Sequence, residues 1–379
     1  MMMQKIRMME YNAIQYFLIR SCFVGIAAHN VLNISRQDSW MCFLMAIVVG
    51  FIPLLLYLYL MNKHPDLNLF DMSILIFGKR WGNIINFVFF LFVCSYCVLE
   101  LWNFSNFVGS QYLYRTTTYF ISFVFLIVVF YALNKGFKTF SQTCLILFYL
   151  SVFLYTFSAI GLLGQVQYDN VLPSFEYGVS PIVNGVYHVV SCNVFPLFLL
   201  TIIPKNQIIG KQSFQKRMII FYLITLFMLF IVVFTIQTVF GIHMALLYQY
   251  PEFQILKRVT IVGFLERMES VFSFQWVLDM LMTLVFTFYV AIEYIYRVFE
   301  VRDMKLKNGI IILFCLACLI ISEFILPSHS HGDYFFIHYF PHLLSIGLFL
   351  IPLMMVVVIW FRKRKKKYSS MSQSIVPET

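Results

Sequence analysis

Residues 181–204 read PIVNGVYHVVSCNVFPLFLLTIIP, and this stretch decides how the whole chain is interpreted. It has the length of a transmembrane helix, but polar or helix-disturbing residues interrupt its middle: Asn184, Gly185, His188, Ser191, Cys192, Asn193 and Pro196. Such groups are tolerated at membrane depth only where protein or a water-filled cavity satisfies them. We therefore predict a discontinuous helix that helps to form a binding site. A continuous helix kinked at Pro196, with its polar face packed on neighbouring helices, is the alternative.

The composition of the whole chain is that of an integral membrane protein. Of 379 residues, 61% are hydrophobic and only 12% are charged, whereas about 25% charged residues are usual in soluble domains. Lipid can solvate an apolar excess of this size across several helices, but one globular core cannot hide it. The net charge of +10 lies mostly in short connections, so membrane orientation explains it better than nucleic-acid binding does.

Ten apolar runs have the length of a membrane-crossing helix. They lie near residues 11–34, 40–61, 84–107, 117–134, 143–164, 181–204, 217–240, 271–298, 309–326 and 338–361. If the amino end is cytoplasmic, the great majority of the 27 Lys and Arg residues fall in cytoplasmic segments, as the positive-inside rule requires. Both termini are therefore expected in the cytoplasm. Residues 1–361 would form one transmembrane domain, and residues 362–379 a basic cytoplasmic tail.

The ten predicted spans divide into two units of five, about residues 8–164 and 181–361. Because five is odd, the second unit enters the membrane from the opposite face, which is the inverted-repeat arrangement of many secondary transporters. Small and polar residues also interrupt the first span, where Gly25, Ala27 and Ala28 precede His29 and Asn30. The sequence thus predicts an all-α integral membrane protein of ten helices in a 5+5 inverted repeat, with helices 1 and 6 broken.

Polar side chains inside the spans mark candidate functional positions, because they are costly in lipid. We predict a substrate site between the two halves, formed by the interrupted helices and by the third and eighth spans. Its candidate residues are Gly25, Ala28, His29, Asn30, Tyr96, Glu100, Asn184, His188, Ser191, Cys192, Asn193, Asp279 and Thr283. Five of them are expected to line one central cavity: Tyr96, Glu100, Ser191, Asn193 and Thr283. Glu100 would bind substrate or a proton, or would pair with Arg20.

Metal and cofactor chemistry finds little support in the sequence. The histidines His329, His331, His338 and His342 have suggestive spacing, but no acidic or Cys cluster completes a coordination set. A polar loop entering the last helix is the simpler interpretation. The sequence also lacks a G-x-x-x-x-G-K-S/T phosphate-binding loop, which disfavours ATP-driven pumping by this chain alone.

The connection between the seventh and eighth spans, residues 251–269, alternates apolar and charged side chains. This pattern suits an amphipathic helix at the membrane interface. It also suits a solvated face or a docking surface for another subunit. Glu266, Arg267 and Glu269 are the candidate partner or interfacial residues.

The same connection carries a resemblance to a known family. Residues 250–258 (YPEFQILKR) and 263–269 (GFLERME), followed by Trp276, resemble the GerB (GerAB-type) spore germination permeases. Residues 37–40 (QDSW) and 77–82 (FGKRWG) resemble that family's second-helix start and its Gly-Lys-x-x-Gly connection. The resemblance covers essentially the whole chain. Two departures are the NVLNI ending of the first helix and the Ser191-Cys192-Asn193 break of the sixth.

The resemblance implies a LeuT/APC-like fold, similar to that of the amino acid/polyamine/organocation transporters. It also implies the B subunit of a nutrient-germinant receptor in the inner membrane of a bacterial spore, where a small germinant, an amino acid, would bind. The implied partners are an A-type membrane subunit, a C-type lipoprotein subunit and membrane lipid, without nucleic acid and without a cofactor.

Other functional classes stay open on the sequence. An ion-coupled amino-acid permease would move its substrate by alternating access, with Glu100 or Asp279 as the proton carrier. A membrane-embedded acyltransferase that uses His188 would need a second catalytic polar residue on an adjacent helix. We expect a binding or transport protein and not an enzyme.

Overall fold

The computed structural model describes four stretches of the chain, residues 5–259, 269–301, 303–325 and 329–373. The predicted partner residues Glu266 and Arg267 lie outside the described residues, whereas Glu269 is the first residue of a long helix.

Nine helical stretches of the described chain are long and apolar enough to cross a membrane. They are Met8–Lys63, Lys79–Gln111, Thr118–Lys135, Phe137–Gln165, Val179–Ile202, Lys211–Ala245, Glu269–Val298, Met304–Phe324 and Phe340–Arg362. The first contains 56 residues, which would extend about 84 Å as one straight helix, far more than a bilayer is thick.

The first stretch turns back on itself and so supplies two crossings. A 3₁₀ turn occupies Arg36–Asp38. The Ser39 hydroxyl donates a 3.0 Å hydrogen bond to the Val31 carbonyl oxygen, eight residues earlier, which a straight helix could not allow. The hydroxyls of Tyr11 and Tyr57 also meet, so the two arms run antiparallel. Residues 8–35 and 39–63 are therefore spans 1 and 2, and the other eight stretches are spans 3 to 10. The ten-span prediction is confirmed.

Several spans contain more than one helical segment. Span 1 consists of Met8–Ser21, a π-type segment Phe23–Ala27 and Ala28–Ser35, and span 2 of Ser39–Val49 and Phe51–Lys63. Span 6 consists of Val179–Val189, the π-helix Val190–Val194 and the 3₁₀ helix Phe195–Ile202. Span 10 consists of Phe340–Leu344, the π-helix Ser345–Leu350 and Ile351–Gln373, so its last helix continues into the predicted tail.

The remaining elements lie outside the spans. They are the helices Leu69–Phe77, Pro251–Gln254 and His329–His338, the 3₁₀ turns Tyr168–Val171, Lys205–Gln207 and Ile255–Arg258, and the parallel strands β1 (Ile6–Arg7) and β2 (Ile208–Ile209). The 3₁₀ turns Leu163–Gln165 and Lys211–Ser213 form the end of span 5 and the start of span 7. Within spans 5 and 7 the α-helical parts are Phe137–Leu162 and Phe214–Ala245. The segment before span 10 is thus helical where the sequence suggested a polar loop.

Spans 1 and 6 are both interrupted, as predicted. In span 1 the backbone leaves the helical region at Val24 (ψ 121°) and Gly25 (φ 69°). In span 6 the α-helix ends at Val189 and a 3₁₀ helix of eight residues follows the π-helix. Runs of 3₁₀ helix longer than about four residues are uncommon, so this half of span 6 is not an ordinary transmembrane helix.

Burial separates the central spans from the peripheral ones. Within the most apolar 18-residue stretch of each span, 94% of the residues are buried in span 6 and 83% in span 8. In spans 4 and 9 the share is 22%. Protein therefore surrounds the interrupted span 6 and its neighbour span 8, while spans 4 and 9 turn much of their surface to lipid. This arrangement places the polar residues of the breaks inside the bundle.

Candidate ligand site at the interrupted helices

The break in span 1 frees two main-chain groups, and two side chains from other parts of the chain satisfy them. Asn103 Nδ2, on span 3, donates a 3.0 Å hydrogen bond to the Val24 carbonyl oxygen. The Gly25 N–H donates a 2.9 Å hydrogen bond to Glu252 Oε1. Buried main-chain groups need such partners, because none is available from lipid. The break is thus held open by an amide on one side and a carboxylate on the other.

Gly25 is required at this position for two reasons. Its φ of 69° lies in the left-handed region, which residues with a Cβ adopt only with strain. A Cβ added there would also overlap the Tyr250 ring. That ring packs against Phe107 of span 3, with centroids 5.1 Å apart. The aromatic side chain of Tyr250 therefore covers the break closely.

Glu252 and Tyr250 belong to a short segment that is packed into the protein. We call residues 250–256 the outer segment, after the side of the membrane that the distribution of Lys and Arg predicts for them. Six of its side chains are buried, namely Tyr250, Pro251, Glu252, Phe253, Ile255 and Leu256. Only the following Lys257 and Arg258 are exposed. The prediction of an interfacial or solvated helix over residues 251–269 is wrong for residues 251–256, because their apolar side chains pack inside the bundle and carry Glu252 inward with them.

A second buried acid, Glu100 on span 3, lies next to the residue that precedes the break. Cys22 Sγ is 3.0 Å from the Tyr96 hydroxyl and 3.9 Å from Glu100 Oε2. Glu100 is 1% exposed, and its Oε1 has no hydrogen-bond partner among the described residues. An unpaired buried charge is costly, so a buried carboxyl group with a free oxygen marks a place where a proton can bind.

Arg20 pairs with Asp279 and not with Glu100. Its Nε donates a 2.8 Å hydrogen bond to Asp279 Oδ2, and its Nη2 donates one of 3.1 Å to Gln275 Oε1. Both members of the ion pair are fully buried, and the guanidinium lies 4.7 Å from the ring centroid of Trp276. The alternative in which Arg20 neutralises Glu100 is therefore wrong. Arg20 neutralises Asp279, so Asp279 is not an unpaired acid.

Span 6 contributes polar contacts to both of its neighbours. Asn193 Nδ2 donates a 2.6 Å hydrogen bond to the Ile19 carbonyl oxygen in span 1. The hydroxyls of Ser191 and Ser345 lie 3.3 Å apart and join spans 6 and 10. Cys192, between Ser191 and Asn193, is fully buried. The interrupted part of span 6 is thus tied directly to the last helical turn before the break in span 1.

Four predicted residues are directed elsewhere, namely His29, Asn30, Asn184 and His188. Asn30 Nδ2 donates a 2.9 Å hydrogen bond to the Phe336 carbonyl oxygen, and His29 interacts with Asn33 one turn along the same helix. Asn184 is exposed, and His188 lies near His342. Helical periodicity explains these outcomes, because residues of one span must point to different sides.

The five residues expected to line one cavity, Tyr96, Glu100, Ser191, Asn193 and Thr283, are all buried in the bundle, as is Ala28. None of them faces lipid. Near the break, a cavity of about 20 Å³ borders Glu252, Gln275, Trp276 and Tyr155. This volume holds about one water molecule. A larger ligand would therefore need the surrounding side chains to move.

Sequence reasoning missed the part that Glu252 plays at the break. The signal was weak, since Glu252 lies in a connection whose alternating pattern looked solvated. Its flanking residues Tyr250, Pro251 and Phe253 are of types that pack well, but only the contact with Gly25, 227 residues away, reveals the role. Asn103 was not among the predicted site residues either.

Comparison with known proteins identifies relatives along nearly the whole chain. The family described as "Spore germination protein" matches residues 12–328. Spore germination protein XB of Bacillus anthracis is 23% identical over 370 residues, which cover 94% of this chain and 99% of that protein. Spore germination protein YndE of Bacillus subtilis (strain 168) is 22% identical over 337 residues, covering 87% and 89%.

Solved structures share the fold at low sequence identity. The Eremococcus coleocola manganese transporter gives a TM-score of 0.59 at 13% identity and covers 92% of this chain and 79% of its own. MhsT in complex with L-phenylalanine gives a TM-score of 0.59 at 13% identity, with coverage of 94% and 99%. At this identity the likeness concerns the fold alone, and it confirms the predicted LeuT/APC-like arrangement with broken helices 1 and 6.

Proposed function

Because the chain belongs to the spore germination protein family, we propose that it is the B subunit of a nutrient-germinant receptor. In this role it binds a small nutrient, an amino acid, at the breaks of spans 1 and 6. The bound ligand favours one of two conformations, and the difference in affinity between them supplies the signal. The proposed location is the inner membrane of the spore, with both termini in the cytoplasm.

The observation that carries this proposal is the Gly25 amide at the break of span 1. Its N–H donates a 2.9 Å hydrogen bond to the carboxyl group of Glu252 inside the bundle. Ala28–Ser35 follows directly as an α-helix, so the partial positive charge of its amino end favours an anion at the same place. An amino acid offers the same carboxylate chemistry, which makes this break a suitable receptor for its anionic end.

The proposed partners follow from the receptor role. They are an A-type membrane subunit and a C-type lipoprotein subunit, together with the surrounding lipid. Glu269, at the start of span 8, lies near the outer end of the bundle if both termini are cytoplasmic, and we propose it as a partner contact. Co-purification of tagged chain with co-expressed A and C subunits tests this part, and charge reversal at Glu269 should weaken the complex if the contact is correct.

A second candidate function is an ion-coupled amino-acid permease, and the position of Glu100 favours it. This acid is buried beside the break, and one of its oxygens has no partner within the described chain. Such a carboxyl group can take up and release a proton as its surroundings change. Asp279 is less suited, because Arg20 already neutralises it.

Binding and uptake by the purified chain in liposomes separate the two candidates. Labelled amino acids are supplied with and without a proton gradient. Saturable binding without accumulation supports the receptor subunit, and gradient-driven accumulation that is lost in Glu100→Gln supports the permease. Absence of both binding and uptake for every amino acid would contradict an amino-acid ligand for the chain on its own.

Two Asn variants control the binding measurement. Asn193→Leu should abolish binding, since it removes the 2.6 Å hydrogen bond between the two interrupted spans. Asn134→Leu should leave binding unchanged, because Asn134 is exposed and bonds only to the Phe130 carbonyl oxygen of its own helix. Equal loss in both variants would point to general damage to the fold.

A further inference from the structure

We propose that Glu252 competes with the ligand: its carboxyl group accepts the hydrogen bond of the Gly25 N–H until a carboxylate of the ligand displaces it. The inference rests on the proposed ligand site at the break of span 1. It adds a named residue that must leave before the ligand binds, and it restricts the anionic end of the ligand to a carboxylate.

Glu252 is held at the break without a counter-charge in its described contacts. Its side chain is fully buried, Oε1 accepts the hydrogen bond from the Gly25 N–H, and Oε2 has no partner within the described chain. Burial of an acid on these terms is costly, and a Gln or a water molecule could satisfy one amide at less expense. The presence of an acid at this position is explained if the site binds the carboxylate of a ligand and Glu252 takes its place.

Side chains of the protein satisfy both main-chain groups that the break frees. Asn103 satisfies the Val24 carbonyl oxygen, and Glu252 satisfies the Gly25 N–H. A ligand carboxylate that approaches the same N–H finds it occupied. It can bind only in exchange for Glu252, since one N–H donates one good hydrogen bond.

The exchange couples ligand binding to movement of the outer segment. Tyr250, two residues before Glu252, lies so close to Gly25 that a single added carbon would overlap its ring. Displacement of the Glu252 carboxylate therefore also shifts the Tyr250 ring and the buried residues that follow it. Because the ligand carboxylate takes over the hydrogen bond that the Glu252 carboxyl group gives up, the Gly25 N–H keeps an acceptor throughout, and modest differences in ligand affinity can drive the segment outward.

This coupling discriminates between ligands. The carboxylate of a free amino acid, or of another small ligand, accepts the hydrogen bond of the Gly25 N–H when Glu252 leaves. A ligand in which an amide replaces the carboxylate offers a weaker acceptor to the same N–H, since charge-assisted hydrogen bonds are roughly twice as strong as neutral ones. The ligand class is thus a small molecule with a free carboxylate.

The first test is chemical rescue of the Gly25 amide in the full chain reconstituted in liposomes. Hydrogen exchange of the peptide that contains Gly25 is measured by mass spectrometry in wild type, Glu252→Ala and the control Asp169→Asn, an exposed acid of the connection between spans 5 and 6. We expect faster exchange only in Glu252→Ala. Acetate should restore protection and acetamide at the same concentration should not. Unchanged exchange, or equal rescue by both compounds, overturns the proposal.

The second test compares the binding of L-alanine with that of L-alaninamide. Removal of the competitor in Glu252→Ala should tighten L-alanine binding by about tenfold or more, equal to about 1.4 kcal/mol, and leave L-alaninamide nearly unchanged. Weaker binding of both probes would make Glu252 a ligand contact and would overturn the competitor role. If Glu252→Ala does not fold, Glu252→Met fills a similar space without a hydrogen-bond acceptor, and L-alanine should still gain affinity relative to L-alaninamide.

The two tests separate the inference from the proposed function. Rescue by acetate, when no amino acid binds to either chain, contradicts the proposed amino-acid receptor but upholds the exchange at Gly25. L-alanine binding without rescue, and with equal affinity in wild type and Glu252→Ala, upholds an amino-acid receptor and overturns the exchange.

Discussion

Arg20 and Asp279 form an ion pair of 2.8 Å in which both side chains are fully buried. They come from span 1 and span 8, 259 residues apart in the chain. Ser151 of span 5 lies 3.4 Å from the second carboxylate oxygen of Asp279, so three spans meet at this pair. The ion pair therefore anchors the first half of span 1 just before its break.

Removal of one partner of this pair should destabilise the protein strongly. Asp279→Asn leaves the Arg20 charge buried without compensation, which is expected to cost about 3–5 kcal/mol. Replacement of both partners, as in Arg20→Met with Asp279→Leu, should recover most of the loss. Unfolding of purified variants in detergent measures the difference. Asp71→Asn is the control, because its ion pair with Arg297 is more than one-third exposed and should contribute less than about 1 kcal/mol. Equal effects at the two sites would contradict an anchoring role for Arg20.

Asn103→Ala should destabilise the break in span 1, because it leaves the Val24 carbonyl oxygen without its partner. A buried acceptor that loses its donor typically costs about 1–3 kcal/mol. Asn106→Ala is the matched control on the same helix, since Asn106 bonds only to the Trp102 carbonyl oxygen one turn earlier. The thermal unfolding midpoint of each variant in detergent compares the two. A fall in Asn106→Ala as large as that in Asn103→Ala would show that helix packing, and not the break, determines the effect.

Gly25→Ala should be more harmful than Gly136→Ala, although both glycines have positive φ, of 69° and 85°. At Gly136 a Cβ meets no atom within 4 Å, so only backbone strain of about 1–2 kcal/mol applies. At Gly25 the Cβ also overlaps the Tyr250 ring. Thermal unfolding compares the variants, and Tyr250→Ala in the Gly25→Ala background should restore part of the stability. No recovery in that double variant would mean that backbone strain alone accounts for the loss.

Closure of the outer segment over the break should weaken as the pH rises. Burial raises the pKa of Glu252 from 4.5 to about 8, although hydrogen bonds from its own N–H and that of Gly25 lower it. In an opened segment the carboxyl group is exposed and regains its ordinary pKa. The closed form thus binds the proton more tightly, so its advantage is complete below pH 4.5 and is lost as the pH rises through about 8.

Hydrogen exchange of the peptide containing Gly25, corrected for the intrinsic effect of pH on exchange, follows this equilibrium. Protection should fall between pH 5 and pH 9 in the wild type and should stay level in Glu252→Gln. Tyr155 borders the same small cavity, and Arg20 stacks on Trp276 beside it, so the Glu252→Gln variant isolates the contribution of Glu252. The same slope in both proteins would assign the titration to another group.

Much of the fold was predictable because it depends on local properties of the chain. Hydropathy runs of membrane-crossing length place the helices, and the break in span 1 follows from Gly25 and the small residues beside it. The interruption of span 6 was visible in the polar residues around Ser191 and in Pro196. These features express the cost of polar groups in lipid, which acts on each span separately.

The choice among possible partners required the tertiary structure. The sequence placed Arg20, Glu100 and Asp279 inside the membrane, but either acid could have received the guanidinium. Only the packing of spans 1, 5 and 8 selects Asp279 and leaves Glu100 beside Cys22. Helix positions along the membrane normal follow from hydropathy, whereas the rotation of each helix depends on all of its neighbours.

The sequence by itself determined an all-α membrane protein with ten spans and interruptions in the first and the sixth, since lipid imposes a strict and local rule on hydropathy. Only the tertiary structure decided that Glu252 is buried at Gly25, because an acid in an amphipathic connection can face water or protein equally well. The packing of Tyr250 and Phe253 against spans 1 and 3 turns it inward. The contact between the outer segment and the break is therefore a property of the assembled bundle.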